Sequence, residues 1–273
     1  IFAFGIFAVY SLIVHRRLVP IGAGSHIWLW LSISGLVGFV FGDLFLFQAF
    51  VDVGARTAML IYSSVPPMTA LLGWIVLSER LTPIQLLGMS ITVLGIILVV
   101  TEKKSVPAPE LATPKRTFSD SVPDDTHHRH RFRGLVFATL GALGQALGLV
   151  LSRYGAPDYD PFAATQIRAL AGVVGFTLLF AVTHRWKRIY VALHDRAALR
   201  SIVRGAFFGP FLGVSLGLFA AQRAGTGVAA TIIATVPVIL IPVAVLRKTE
   251  EITTREIVGA FRAVLGVAIL FLF

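Results

Sequence analysis

Six ionisable or amide side chains lie within apolar stretches, where a charge or an unpaired amide is costly: Asp43, Gln48, Gln145, Gln166, Arg168 and Arg262. Inside a bilayer such groups are rare and mark ligand pathways, proton relays or ion pairs. Asp43 sits well inside its apolar run, and its carboxylate could pair with an arginine or carry a coupling proton. Arg168 comes seven residues after Pro161 and Arg262 six after Glu256. Either could therefore also stretch its stem to the headgroup boundary and keep its charge wet. A second set consists of hydroxyls close to prolines. Tyr62, Ser63 and Ser64 precede Pro66 and Pro67, while Thr231 and Thr235 precede Pro237 and Pro242. Each proline removes a backbone donor and frees an upstream carbonyl, which hydrocarbon cannot satisfy. Helix breaks at Pro66, Pro67, Pro237 and Pro242 would expose those carbonyls to hydroxyls, water or a ligand. Tyr62, Ser63, Ser64, Thr231 and Thr235 are thus expected to touch a bound small molecule, with Asp43, Gln48, Gln145 and Gln166 as polar contacts. A purely structural kink is the competing explanation.

Other chemistries find no support. Without cysteine there is no disulfide, thiolate metal site or cysteine nucleophile. His127, His128 and His130 have only Asp124 and Asp125 as acidic neighbours and fall in a polar stretch, so no metal site is assigned. There is no phosphate-binding loop, nucleophile elbow or paired-histidine metal motif. No cofactor is expected, and the chain does not read as an enzyme. A lipid-modifying enzyme would need clustered acids, bases or metal ligands at one interface. Glu79 and Glu250 follow the two proline segments at equal distance, in Ser78-Glu79-Arg80-Leu81-Thr82 and Thr249-Glu250-Glu251-Ile252-Thr253. Both are expected to favour the positive end of the helix that follows, with Thr82 and Thr253 as caps.

The elements that must position these groups are membrane helices. The chain is 56% hydrophobic and only 14% charged, with a mean hydropathy of +0.83, too apolar for a soluble domain of 273 residues. Its net charge of +10 lies in loops flanking apolar runs, where it orients helices and anchors lipid rather than binding nucleic acid. Apolar runs predict nine spans: 1–14, 27–50, 57–77, 83–101, 134–152, 161–183, 203–221, 227–246 and 256–273. Residues 102–133 read as a flexible linker between a first unit, 1–101, and a second, 134–273. In the loop 184–204, Trp186, Tyr190, Leu193 and Ala197 share one helical face among basic residues. That pattern suits a helix lying in the headgroup region, or an ordinary basic loop.

The two units repeat each other at a constant offset of 171 residues. Val65-Pro66 recurs as Val236-Pro237, Glu79 as Glu250 and Thr82 as Thr253. Gly38, Gly42, Ala49, Gly54, Ala58, Gly88 and Gly95 recur as Gly209, Gly213, Ala220, Gly225, Ala229, Gly259 and Gly266. By the same offset about 37 residues, one further helix, would precede Ile1. Five helices per unit is an odd number, so the second unit would enter the membrane from the opposite side, an inverted pair. Gly205, Gly209, Gly213 and Gly217 draw a smooth ridge down one helix, and Gly144 with Gly148 makes another. Small residues let backbones approach closely in lipid. Such ridges serve static packing or a sliding surface between the units.

The run from Val65-Pro66 through Glu79-Arg80-Leu81-Thr82-Pro83 to Gly88 and Gly95, doubled from Pro237 through Glu250 to Gly266, resembles the EamA-like family of the drug/metabolite transporter superfamily. The resemblance implies ten helices in two inverted five-helix repeats, of which nine would be present here. It also implies a multi-pass cell-membrane transporter, an exporter or exchanger of small metabolites such as amino acids, working by alternating access. Family members usually keep both termini in the cytoplasm. Counting Lys and Arg instead puts the face carrying the linker in the cytoplasm and the C-terminus outside, so the orientation stays open. The expected partners are a small-molecule substrate and the bilayer, with no nucleic acid. The oligomeric state is not fixed, and a monomer suffices. A non-transporting scaffold or sensor on the same fold is the alternative.

Overall fold

The structure is a computed structural model that describes residues 2–16, 18, 20, 22–101, 124–183, 196–235 and 254–272. Among these residues every regular element is helical. Helix α1 spans Phe2–His15 and α2 Ser25–Gly35, which runs through a π-helical turn at Leu36–Gly42 into α3, Asp43–Tyr62. After these come α4 (Val65–Leu77), α5 (Pro83–Thr101), α6 (Asp124–Gly155) and α7 (Pro161–Thr183). Then α8, Arg196–Ala206, passes through a second π-helical turn, Phe207–Val214, into α9, Ser215–Ala224. The described chain ends with α10 (Thr226–Ile233) and α11 (Thr254–Leu272). Four continuous stretches are long and apolar enough to cross a bilayer: Ser25–Gly54, Phe132–Gly155, Pro161–Thr183 and Leu199–Ala224. Even the 23 residues of Pro161–Thr183 reach about 35 Å, against the ~30 Å hydrocarbon core. Phe2–Ile13, Val65–Leu77, Pro83–Leu98 and Ile257–Ile269 are shorter apolar helices. Val51, Ile75, Leu178, Val182 and Phe261 are exposed, as lipid-facing residues should be.

Local sequence explains the helix ends. Pro83 and Pro161 each occupy a first helical position, where the missing N–H costs nothing. Ahead of Pro83, Thr82 and Gln85 form a reciprocal cap: the Gln85 N–H donates to Thr82 Oγ1 (3.2 Å) and the Thr82 N–H to Gln85 Oε1 (3.0 Å). Ahead of Pro161, Asp160 Oδ2 accepts the Ala163 N–H at 2.7 Å. Pro66 and Pro67 likewise sit in the first turn of α4. The expected span 57–77 is therefore two helices joined by a tight turn at Ser63-Ser64 rather than one kinked helix. The expected linker also ends early, because α6 starts at Asp124. No proline follows between Asp124 and Gly155 to break the helix. The expected headgroup helix falls mostly outside the described residues; α8 begins at Arg196 and continues straight into the next span.

The conformation, and not only the sequence, recurs after 171 residues. Gly54 (φ 83°, ψ 152°) breaks the helical path, and so does Gly225 (φ 90°, ψ 157°). Only glycine reaches this region without strain. The π-helical turns Leu36–Gly42 and Phe207–Val214 stand at the same offset. Downstream, the Ser64 N–H and Oγ both donate to the Ile61 carbonyl (3.0 and 2.6 Å), and the Thr235 N–H and Oγ1 both donate to the Ile232 carbonyl (3.1 and 2.6 Å).

The interior is built from small residues, with Ala49, Ala138, Ala142, Ala146, Ala164 and Ala229 buried. The α2–α3 span packs antiparallel on α6. A β-carbon on Gly144 would lie 2.8 Å from Gly42 Cα, and one on Gly148 would lie 2.9 Å from Gly38 Cα. In the same seam Ser34 Oγ donates to the Gly148 carbonyl and meets Ser152 Oγ, both at 2.6 Å. Helix α5 packs on α11 through a reciprocal pair. A β-carbon on Gly95 would lie 2.6 Å from the Gly259 carbonyl oxygen, and one on Gly266 would lie 2.6 Å from that of Gly88. Each glycine thus meets the copy of the other, which requires α5 and α11 to run antiparallel.

Candidate functional site

The polar groups that approach one another lie on α3, α6 and α7. Gln145, about halfway along Phe132–Gly155, donates through Nε2 to Asp43 Oδ1 (2.7 Å) and to the Gly38 carbonyl (3.1 Å). Asp43 opens α3 directly after the π-helical turn. Across from it, on α7, Arg168 is 3% exposed, so its stem does not carry the guanidinium to the boundary. The guanidinium carbon lies 4.8 Å from the Phe39 ring centre. Gly38 makes room on another side, since a β-carbon there would sit 3.3 Å from Arg168 Nη2. The backbone of Arg168 is pressed against Gly35. Asp43 and Arg168 interact electrostatically without direct ion-pair contact, and Tyr62 also lies within reach of the Asp43 charge. Arg168 Nε is enclosed without a hydrogen-bond partner.

The remaining sequence candidates disperse. Gln166 is buried and donates to the Leu18 carbonyl (2.7 Å), which ties α7 to the α1–α2 connection. Gln48 is exposed and bonded to Asp52 Oδ1 (3.0 Å). Arg262 is exposed on α11, away from the Asp43 group. The hydroxyl of Thr231 donates to the Gly227 carbonyl (2.8 Å) of its own helix, and those of Ser64 and Thr235, in the turns that follow α3 and α10, donate back to the carbonyls of Ile61 and Ile232. Ser63 is buried. Pro66 is buried and Pro67 exposed, while Pro237, Pro242 and Glu250 lie outside the described residues.

Glu79 corrects the expectation from sequence. Thr82 does cap α5, but Glu79 reaches across to the second unit. Its Oε2 accepts the Thr226 N–H (2.9 Å) and the Thr226 hydroxyl (2.7 Å), which caps α10 just after the Gly225 break. The carboxylate is positioned by chain reversal at Ser78, whose φ is 56°. Arg153 Nε lies 4.0 Å from Glu79 Oε1, and Arg153 Nη1 donates to the carbonyls of Gln222 and Pro157. Gln222 Nε2 closes the network on the carbonyls of Ala156 (3.0 Å) and Tyr159 (2.9 Å). At the other end of the apolar stretch Phe132–Gly155, Arg133 holds Asp52 through two bonds of 2.9 Å. Sequence could not reveal either network, because each joins residues far apart in the chain. The one available signal was the Gly225 break, which makes a fresh helix start that needs a cap. The stretch Phe132–Gly155 thus carries a polar network near each end, with Gln145 and the Asp43 group between them.

The sequence profile of the EamA-like transporter family matches residues 1–101 and 132–272. A curated relative, the uncharacterized membrane protein YMR253C of Saccharomyces cerevisiae, is 27% identical over 165 residues, 60% of this chain and 36% of the relative. The chain therefore matches little more than a third of that protein's length. A chain solved by crystallography superposes with a TM-score of 0.68 at 16% identity, over 99% of this chain and 84% of the other, which establishes a shared fold. From the matched profile, the chain belongs to the EamA-like transporter family, within the drug/metabolite transporter superfamily, and is an integral membrane protein.

Proposed function

We propose that the chain is a cell-membrane carrier that exports a small metabolite by alternating access, built from two inverted repeats around the Asp43–Gln145–Arg168 group. The observation that carries the proposal is that group itself: an acid and an amide bond to each other near the middle of their apolar spans, with a buried arginine beside them, in a member of a transporter family. Polar groups at that depth are costly unless they serve a solute or ion path. The reciprocal Gly95–Gly259 and Gly266–Gly88 contacts support inversion, since an antiparallel pair of equivalent helices needs a two-fold axis in the membrane plane. The Arg153 and Arg133 networks, at opposite ends of the apolar stretch Phe132–Gly155, are suited to close the path on one side at a time. Purified full-length chain in proteoliposomes should give saturable counterflow of at least one small metabolite. Gln145→Leu, which strips the amide from Asp43, should lower that flux about tenfold or more while the melting temperature stays close to that of the parent. Without saturable flux of any solute, the fold would be serving as a scaffold or sensor.

A further inference from the structure

We infer that Arg168 is the anchor for an oxyanion on the transported molecule, a carboxylate or a phosphate, so that the carrier admits anionic and zwitterionic metabolites and rejects simple amines. The inference takes its site from the proposed carrier function and adds the class of solute. A guanidinium stays charged at any physiological pH and presents five N–H donors in a planar fork. Among the described residues Arg168 makes no hydrogen bond and no ion pair, although it is 3% exposed. The face of Phe39 at 4.8 Å attracts the charge but accepts none of the donors. The facing carboxylate, Asp43, has Oδ1 engaged by Gln145. A buried cation with an unfilled donor fork lacks an acceptor, and the group that fits such a fork bidentately is a carboxylate or a phosphate. The absent β-carbon of Gly38 leaves one side of the guanidinium unobstructed by a side chain. A solute amine without its own oxyanion would leave the Arg168 donors unfilled and would bring a second positive charge beside it. One that carries both charges could place its ammonium toward Asp43.

The test is a thermal-shift and counterflow comparison of the full chain with probes paired to differ only in the oxyanion: amino acids against their amides, and sugar phosphates against the free sugars. Oxyanion members should raise the melting temperature and drive counterflow, and their stripped partners should do neither. Response from the first pair alone assigns a carboxylate; response from the second alone assigns a phosphate. Arg168→Gln should abolish the oxyanion response, Arg168→Lys should weaken the apparent affinity about tenfold, and Arg262→Gln, on the outer surface, should leave it unchanged. The wild-type preference stands as evidence even where Arg168→Gln folds poorly. Saturable flux of amides or free sugars equal to that of their partners would overturn the oxyanion assignment and leave the carrier standing. Silence from every probe in both assays would overturn both.

Discussion

The glycines at matched positions in the two units have different surroundings. Gly38 and Gly42 are closed against Gly148 and Gly144: a β-carbon on Gly38 or Gly42 would find its nearest atoms at 3.3 and 3.2 Å, and one on the facing Gly148 or Gly144 would lie only 2.9 or 2.8 Å from their Cα atoms. Their copies, Gly209 and Gly213, stand on the same kind of π-helical turn, yet no described residue approaches the missing side chain of Gly209 within 4 Å. Gly213 meets only the Phe208 carbonyl of its own helix. The span carrying the open ridge, Leu199–Ala224, has a smaller share of buried residues in its most apolar stretch than Ser25–Gly54. A small-residue spacing therefore records what a helix surface permits, and a partner with the complementary spacing decides whether it becomes an interface.

The most damaging way to break this comparison is to fill the closed seam. Gly144→Leu drives a side chain into the backbone of Gly42, where no rotamer relieves the clash. It should cost about 3 kcal/mol, the upper end of overpacking penalties. A large drop in the melting temperature of the purified protein is expected, together with loss of the Gln145–Asp43 contact one residue away. An unchanged melting temperature would mean that the seam is looser than its distances imply.

A smaller and more symmetric effect is expected at the two break points. Gly54→Ala and Gly225→Ala each force a β-carbon into a left-handed conformation, at about 1–3 kcal/mol. Gly54 has open space around it, so its cost is backbone strain alone. A β-carbon on Gly225 would meet the Glu79 carboxylate at 3.5 Å, an ordinary van der Waals distance, so its cost should be close to that at Gly54. Glu79→Ala comes next, at about 1–2 kcal/mol for the lost cap on α10. Double substitution of Glu79 and Thr226 should cost less than the sum of the singles, measured as a thermodynamic cycle. Additive losses would show that the two groups do not work as a pair.

These sites also separate what the sequence could show from what it could not. The offset of 171 was legible because glycines and prolines have backbone requirements that repeat with the fold. The helix starts at Pro83 and Pro161 followed from local chemistry. The π-helical turns were not legible, since position 39 is Phe in one unit and its counterpart, position 210, is Pro in the other. Arg168 and Arg262 looked alike because both follow a helix start at similar distance in apolar sequence. Only the packing of α7 against the α2–α3 span buries one and leaves the other outside. For the hydroxyls near the prolines the residues alone leave a ligand contact and a structural kink both open; Ser64, Thr231 and Thr235 bond to carbonyls three or four residues upstream. Glu79 was read through its neighbours, but its partner lies 147 residues away.

The smallest expected effect sharpens the opening contrast most. Gly209→Leu adds apolar bulk to a surface where a β-carbon meets no described residue. In the isolated chain it should shift stability by no more than about 0.5 kcal/mol, as surface substitutions do. It should even favour the helix slightly, since leucine replaces glycine within Phe207–Val214. Melting curves of Gly209→Leu and Gly144→Leu, taken side by side in the same lipid, then measure the value of a partner at one sequence spacing. Equal and large losses would mean that the second ridge is covered in the working protein, by another helix or another copy. Flux measurements on Gly209→Leu would then separate a packed wall from a surface that slides during the transport cycle. A wall that only packs should lower stability and flux together, whereas a sliding surface should lose flux with the melting temperature held.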